Sequence, residues 1–205
     1  MKNEQPRAIG LNDLGQLTLR GNVAFAVRCA LRIRPCFELP ADAPRQREKV
    51  AAVDRAIRLA AAFCNGQPLE RGAAAAIARV AEAVAEETSE FTRCAGYAAV
   101  RAAEAAANAE EVVRNPNDSG IMEVVAAAFG SGRVLAANAD TFTLDYVAAV
   151  LCADVDKLLS LGHGGSPELG PPLDPSEAGP LGPLWPNGTP LWCSAEAVQP
   201  PHVVE

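Results

Sequence analysis

The sequence predicts an all-α fold: an antiparallel bundle of about six helices, followed by an extended C-terminal tail rich in proline and glycine. Three observations support this prediction. Apolar residues recur at helical spacing in the long segments of residues 20–161. Alanine, the strongest helix former, occupies 17 of the 37 positions from 73 to 109. No segment shows a convincing strand pattern.

Proline, glycine and capping residues separate six predicted helices. They span residues 22–34, 44–64, 69–87, 89–114, 121–129 and 141–161. Asn22 is expected to cap the first helix and Pro35 to end it. Asn65 and Gly66 end the second helix, and Gly130 ends the fifth. Short connections between such helices favour antiparallel neighbours.

The apolar positions also predict which helix faces turn inward. In the third helix the inward residues are Ile77, Val80, Ala81 and Val84. Gly96, inside the fourth helix, predicts a close approach of a neighbouring helix. The last helix carries two adjoining apolar stripes, marked by Tyr146 and Leu144, and is therefore expected to be the most buried element.

Charge and composition divide the chain into an N-terminal arm (1–19), the helical bundle (20–161) and an acidic tail (162–205). Residues 1–161 hold all 18 Lys and Arg against 20 Asp and Glu, whereas the tail holds five acids and no base. This balance offers no electrostatic footprint for nucleic acid or an anionic membrane. With no secretory signal and no apolar run of the roughly 20 residues that cross a bilayer, we expect a cytoplasmic protein.

Residues that could carry catalysis are sparse. The six cysteines are scattered singly and are expected to be reduced core residues, with Cys29 and Cys36 as the one pair worth testing as a redox couple. The two histidines, His163 and His202, lie near or in the tail, and His163 is expected to be a solvated linker residue. "FGSGR" (129–133) lacks the strand and lysine of a phosphate loop and is expected to stop a helix. We therefore expect no catalytic residue, no metal and no cofactor.

Four acids cluster around the turn between the third and fourth helices. They are Glu82, Glu86, Glu87 and Glu90. Such a cluster is either simply solvated or, in a cleft that perturbs the pKa values, able to hold a metal and carry out acid-base chemistry.

A polar stripe on the fourth helix is the best candidate surface. Its members share one helix face: Arg93, Tyr97, Arg101, Glu104, Asn108 and Glu111. The stripe is either a solvated face with local ion pairs or a recognition face, because Arg and Tyr are enriched among binding hot spots. Arg28 and Arg32 are expected to form a second, smaller basic edge.

The tail holds both tryptophans, Trp185 and Trp192, in the run "GPLGPLWPNGTPLW". In a polyproline II helix, prolines 180, 183 and 186 would align on one ridge and present a stiff docking segment. Extended chain would place the two indoles up to about 22 Å apart, so we expect them to fix the tail at two points along the bundle. The alternatives are a free linear motif for another protein and docking on a neighbouring subunit.

Several segments together resemble a known family. They are "RCALRIRPCFEL", "AAVDRAIRLAAAFCNGQPLE", "AAAAIARVAEAVAEE" and "RCAGYAAVRAAEAAANAEE". In this order they resemble the Ala-rich helical immunity-protein-like domain of bacterial polymorphic toxin and conflict systems, over about residues 20–113. Where the family has a histidine after Ala-Gly, this chain has Tyr97. The resemblance implies a non-catalytic protein that neutralises or senses another protein.

The sequence thus predicts a non-catalytic protein-binding domain, with immunity against a toxin as its specific form. The predicted partner-binding residues are Arg93, Tyr97, Arg101, Glu104, Asn108, Trp185 and Trp192. An alternative is an oligomeric scaffold whose tail docks on neighbouring subunits, so that the partner is a second copy of the chain. A third is a metal-dependent enzyme that uses the acids from Glu82 to Glu90.

Overall fold

The chain folds as a helical bundle, as predicted. The computed structural model describes residues 7–40, 42–88, 90–115, 120–139 and 143–193, apart from the side chains of residues 90 and 91. The helices are α1 (Leu11–Leu14), α2 (Leu19–Ile33), α3 (Gln46–Cys64), α4 (Ala73–Glu86), α5 (Glu90–Arg114), α6 (Ile121–Ala137) and α7 (Leu144–Ser160). Short 3-10 turns lie at Arg34–Cys36 and Leu191–Cys193. Within these ranges there is no strand, and none of the helices is both apolar and long enough to cross a bilayer.

Helix α2 is the centre of the bundle and its most buried helix, packing against α3, α5 and α6. The prediction that the last helix would be most buried is wrong. One flank of α7 faces water, with Leu144 45% exposed. Its Tyr146 stripe lies against the C-terminal segment, since the Tyr146 hydroxyl accepts a hydrogen bond from the Asn187 backbone N–H at 3.0 Å.

Helix α2 also begins earlier than predicted. Thr18, not Asn22, caps it: the Thr18 hydroxyl accepts a hydrogen bond from the Gly21 backbone N–H at 3.1 Å. Asn22 is buried inside the helix, where its side-chain amide donates to the carbonyls of Leu14, Leu17 and Thr18. A buried Asn needs such partners, so this residue ties the chain before α2 to the helix.

The alanines of α4 and α5 bring these two helices into close contact. At Gly96 of α5, an added Cβ would lie 2.8 Å from the Ala85 Cβ of α4, which confirms the predicted close approach. Helix α4 buries the alanine face Ala74, Ala78, Ala81 and Ala85. Val80, predicted to face inward, lies off that face and is 56% exposed, because small residues alone fit the narrow interface.

Two predicted helix ends are wrong. Helix α6 does not stop at Gly130 but continues through the whole of "FGSGR" to Ala137. Both glycines in this motif face neighbouring side chains: an added Cβ would meet the Arg101 side chain at Gly130 and the Phe25 ring at Gly132. Helix α4 starts at Ala73, directly after Gly72 at φ +71°, so the residues from 69 to 72 precede it.

A buried ionic cluster joins α2, α7 and the C-terminal segment, by which we mean residues 162–193. Arg28 and Arg32, predicted as a basic edge, are each only 1% exposed. Their guanidinium groups lie 3.0 and 2.6 Å from the two carboxylate oxygens of Asp154. Since buried charges need partners, this carboxylate is the counter-ion that permits their burial.

The C-terminal segment supplies the remaining partners of the two arginines. Arg28 donates to the backbone carbonyls of Gly182 at 3.0 Å and Pro183 at 2.9 Å, and Arg32 donates to that of Leu184 at 2.8 Å. The segment is therefore part of the core around α2. Residues 194–205 lie outside the described ranges.

His163 also joins the segment to the bundle. It is buried, contrary to the prediction of a solvated linker, because its Nδ1 lies 3.1 Å from the Thr18 hydroxyl and its carbonyl accepts the Thr18 backbone N–H. Burial, together with the nearby Arg20 charge, lowers the pKa of His163. The neutral form is thus favoured in the folded chain.

We predict that Asp154→Asn lowers the free energy of unfolding by about 3 kcal/mol, because two buried guanidinium groups lose their counter-ion. Urea unfolding followed by circular dichroism measures this. Asp156→Asn is the matched control, since Asp156 is exposed on the same helix, and it should change stability by less than about 0.5 kcal/mol. Equal effects would show that the buried cluster is not stabilised by this carboxylate.

We further predict opposite effects of two glycine substitutions. Gly96→Ala should lower stability by about 1 to 2 kcal/mol, since the new methyl group meets Ala85 in a tight helix interface. Gly130→Ala should be neutral or stabilising, because the contacting Arg101 side chain can move and alanine favours the helix. Thermal melts of both variants measure this difference. Equal melting temperatures for Gly96→Ala and Gly130→Ala would show that α4 and α5 are loosely packed at Gly96.

Candidate functional site between α5 and α6

The predicted polar stripe of α5 divides into two halves. In the first half, the Tyr97 hydroxyl donates to the Glu86 carboxylate and Arg93 donates to the Thr88 carbonyl at 3.2 Å. Both side chains are half-buried and tied to the end of α4. This half of the stripe therefore stabilises the α4 to α5 connection.

The second half of the stripe lines an open groove against α6. The groove has a volume of about 450 Å³. Its lining residues are Arg101, Glu104, Asn108, Glu123, Ala126, Ala127, Phe129, Gly130 and Arg133. Three of the predicted site residues, Arg101, Glu104 and Asn108, thus lie together on one wall of the groove, and α6 provides the opposite wall.

The groove exists because α6 carries small residues where α5 passes it. Gly130 and Ala126 leave space between the helices, and the aliphatic part of Arg101 lies over Gly130, with its Cδ 3.2 Å from where a Cβ would be. The Arg101 guanidinium reaches Glu104 at 2.7 Å on the exposed surface. A larger residue than glycine at 130 would narrow the groove directly.

A second, apolar cavity lies between α6 and α7 and adjoins the groove. Its volume is about 320 Å³. Its lining residues are Ala8, Ile9, Phe25, Phe129, Gly132, Arg133, Ala136, Leu144, Asp145, Ala148 and Leu151. Phe129 and Arg133 line both spaces, so the groove and the cavity form one surface, which we call the α5/α6 surface.

Charges on the α5/α6 surface remain available to a partner. Arg133 and Glu123 are exposed and form no ion pair within the part of the chain that the structure describes. The Arg101 and Glu104 pair is solvent-exposed and therefore contributes little to stability. The surface thus combines opposite charges and an amide with an apolar cavity.

Sequence reasoning missed the α6 half of this surface, namely Glu123, Phe129 and Arg133. Their signal was present, because the helical spacing of apolar residues continues from Val125 past the glycines to Leu135. The two glycines suggested a helix end and hid this continuation.

The two tryptophans lie together, contrary to the predicted spacing along the bundle. The ring centroids of Trp185 and Trp192 are 6.2 Å apart, and Tyr146 lies 5.8 Å from Trp185. Turns closed by backbone bonds from Gly182 to Gly179 and from Gly188 to Trp185 interrupt the predicted polyproline II ridge.

Both indoles make contacts within the chain. The Arg32 guanidinium lies 5.6 Å from the Trp185 ring centroid, and the Trp192 indole N–H donates to the Thr143 hydroxyl at 2.9 Å. Both rings are partly buried against the core. Binding of a separate protein by these tryptophans stays a prediction.

The acidic cluster is spread over the surface. Glu82, Glu86 and Glu87 are exposed, and Glu87 lies 3.0 Å from the Lys49 ammonium group. The side chain of Glu90 lies outside the described residues. Among those described, no three His, Cys, Asp or Glu side chains form a group that could hold a metal ion.

We predict that Trp185→Ala lowers the free energy of unfolding by about 2 kcal/mol, through lost apolar burial and the lost contact with Arg32. Differential scanning calorimetry measures the change. Leu191→Ala is the control within the same segment, because Leu191 is 80% exposed, and it should leave the melting temperature within about 2 °C. Equal melting temperatures for the wild type and Trp185→Ala would mean that the indole does not stabilise the bundle.

No family model matches the chain, and searches of curated proteins and of solved structures find no match.

Proposed function

We propose that this chain is a non-catalytic protein-binding module and that the α5/α6 surface is its contact site. The observation that carries the proposal is the junction at Phe129 and Arg133, where a charged groove meets an apolar cavity. Protein interfaces commonly combine a buried aromatic or Arg anchor with a polar rim. A partner would place one apolar side chain in the cavity and complementary charges along the groove.

The charge arrangement favours a specific protein partner. Arg101 and Arg133 come from different helices, as do Glu104 and Glu123, so the groove presents both signs on both walls. Mixed charges of this kind select partners by complementarity and suppress wrong pairings. Helices α5 and α6 contact each other extensively beneath the groove, so these groups are held on a rigid support.

Immunity against a bacterial toxin is the specific role that we propose. Its support is the resemblance of residues 20–113 to helical immunity-protein-like domains, which covers α2 to α5 and thus one wall of the groove. In this role the partner is a toxin, and binding to the α5/α6 surface neutralises it. The opposite wall, α6, lies outside the resembling region and would supply recognition particular to this chain.

The scaffold alternative has no observation in its favour. It requires the tail to dock on a neighbouring subunit, whereas the carbonyls of Gly182, Pro183 and Leu184 accept hydrogen bonds from arginines of their own chain. The enzyme alternative likewise lacks support, because Glu82 and Glu86 are exposed and Glu87 pairs with Lys49. We therefore propose neither.

We predict that reversing two charges, Arg101→Glu with Arg133→Glu, weakens partner binding at least tenfold without changing the fold, since both side chains are exposed. The first measurement is survival of cells that co-express the chain with a toxin encoded beside it. Calorimetric titration of the purified pair then gives the dissociation constant.

The matched control reverses two exposed arginines of α3, Arg55→Glu with Arg58→Glu, and makes the same change in net charge. Protection and affinity should stay at the wild-type level in this control. If both double variants weaken binding equally, the effect is one of net charge and the α5/α6 surface is not the site. If neither does, the partner binds elsewhere on the chain.

A further inference from the structure

Two cysteines far apart in sequence meet at the end of the described chain. Cys36 lies in the 3-10 turn after α2, and Cys193 ends the last 3-10 turn. Their sulfur atoms are 3.4 Å apart, and both residues are free thiols that are at most 2% exposed. The structure thus gives Cys36 a sulfur partner other than the Cys29 that the sequence suggested.

Neighbouring contacts hold this thiol pair in position. The Cys193 thiol donates to the Arg32 carbonyl at 2.8 Å, which places it at the C-terminal end of α2. The preceding residue, Trp192, is fixed by its indole bond to Thr143. A disulfide of about 2.05 Å requires the two sulfurs, now 3.4 Å apart, to approach by about 1.4 Å.

The two thiols differ in acidity. The hydrogen bond between the two sulfurs lowers the pKa of Cys36, since the Cys193 S–H, which points to the Arg32 carbonyl, can turn toward a Cys36 thiolate. The same bond and burial raise the pKa of Cys193. Because the thiolate is the nucleophile, Cys36 is the attacking sulfur and Cys193 the resolving one.

The other four cysteines lack this arrangement. Within the described part of the chain, no other sulfur lies within hydrogen-bonding distance of a second sulfur. Burial raises the pKa of Cys29 to about 12 and also raises that of Cys64. Cys94 and Cys152 are more exposed than the pair and would be oxidised first if access alone decided reactivity.

We propose that Cys36 and Cys193 are a redox pair that a peroxide converts into an intramolecular disulfide, which locks the C-terminal segment onto α2. The Cys36 thiolate attacks one peroxide oxygen and the O–O bond breaks. The departing hydroxide takes up the proton released by Cys36 and leaves as water, so that Cys36 becomes a sulfenic acid.

The second step closes the bond. The Cys193 sulfur attacks the sulfenic sulfur and displaces hydroxide, which takes up the Cys193 proton as a second water. The two thiols lose two electrons in total and the peroxide gains them. Dithiothreitol reverses the step by exchange.

The cross-link joins positions 36 and 193 and thereby restricts most of the unfolded chain. Long closed loops give the largest stabilisation in the chain-entropy model. The segment that is locked contains the carbonyls that partner Arg28 and Arg32. Oxidation should therefore raise the melting temperature by roughly 10 °C.

The test uses the full chain, treated with a few equivalents of hydrogen peroxide and then alkylated in denaturant. Trypsin places Cys36 in the peptide of residues 33–45 and Cys193 in that of residues 158–205, each with one cysteine. We expect mass spectrometry to find these peptides joined, together with the rise in melting temperature, both reversed by dithiothreitol.

Variants separate the pair from the other cysteines. Cys36→Ser and Cys193→Ser should each abolish the cross-link and the stabilisation, whereas Cys94→Ser and Cys152→Ser should retain both. In Cys193→Ser, dimedone should label Cys36 as the trapped sulfenic acid.

Three results would overturn the proposal. One is full alkylation of Cys36 and Cys193 after oxidation of the exposed cysteines. Another is a cross-link that leaves the melting temperature unchanged, which would show that the disulfide does not stabilise the docked C-terminal segment. A dimedone adduct on Cys193 in the Cys36→Ser variant, with none on Cys36 in Cys193→Ser, would reverse the assigned roles.

Discussion

The burial of two guanidinium groups on α2 is the constraint on which the rest of the structure depends. Arg28 and Arg32 share one carboxylate, Asp154, so their cluster holds one more positive charge than negative. Arginine is not deprotonated in proteins, so this excess must be met by dipoles. Backbone carbonyls of residues 182–184 and the face of Trp185 provide them. Prolines 180, 183 and 186 keep this part of the C-terminal segment out of a helix, which leaves its carbonyls free to accept hydrogen bonds from α2.

The helices of the body and the docking of the tail on them could be predicted from the sequence, whereas the contacts that hold the tail there could not. Helix bodies follow from apolar spacing and alanine content, which are local signals. The burial of Arg28 follows from partners more than 120 positions away, and residue type alone suggested exposure. His163 was misjudged for the same reason, since Thr18 is its distant partner. Pairings over such distances are set by packing of the whole chain.

Only the α5 half of the candidate site was predictable, because glycine has two different uses in helices. The i, i+3 spacing brought Arg101 and Glu104 onto one face of α5 correctly. The opposite wall of the groove forms only because α6 continues through Gly130. A glycine can end a helix or permit a close approach, and the local sequence does not distinguish these uses. At Gly130 the close approach is that of the Arg101 side chain, which belongs to another helix and is therefore not visible in the local sequence.

Helix α2 links the stability of the chain to its candidate site. Phe25 lines the apolar cavity beside Gly132, and Arg28 and Arg32 hold the C-terminal segment from the same helix. Phe25 and Arg32 are seven residues apart, which is about 10 Å along the axis of an α-helix. If the segment dissociates, water reaches Arg28, one turn from the Phe25 that shapes the cavity. A disulfide that holds the segment at Cys193 would therefore also hold this wall of the cavity in place.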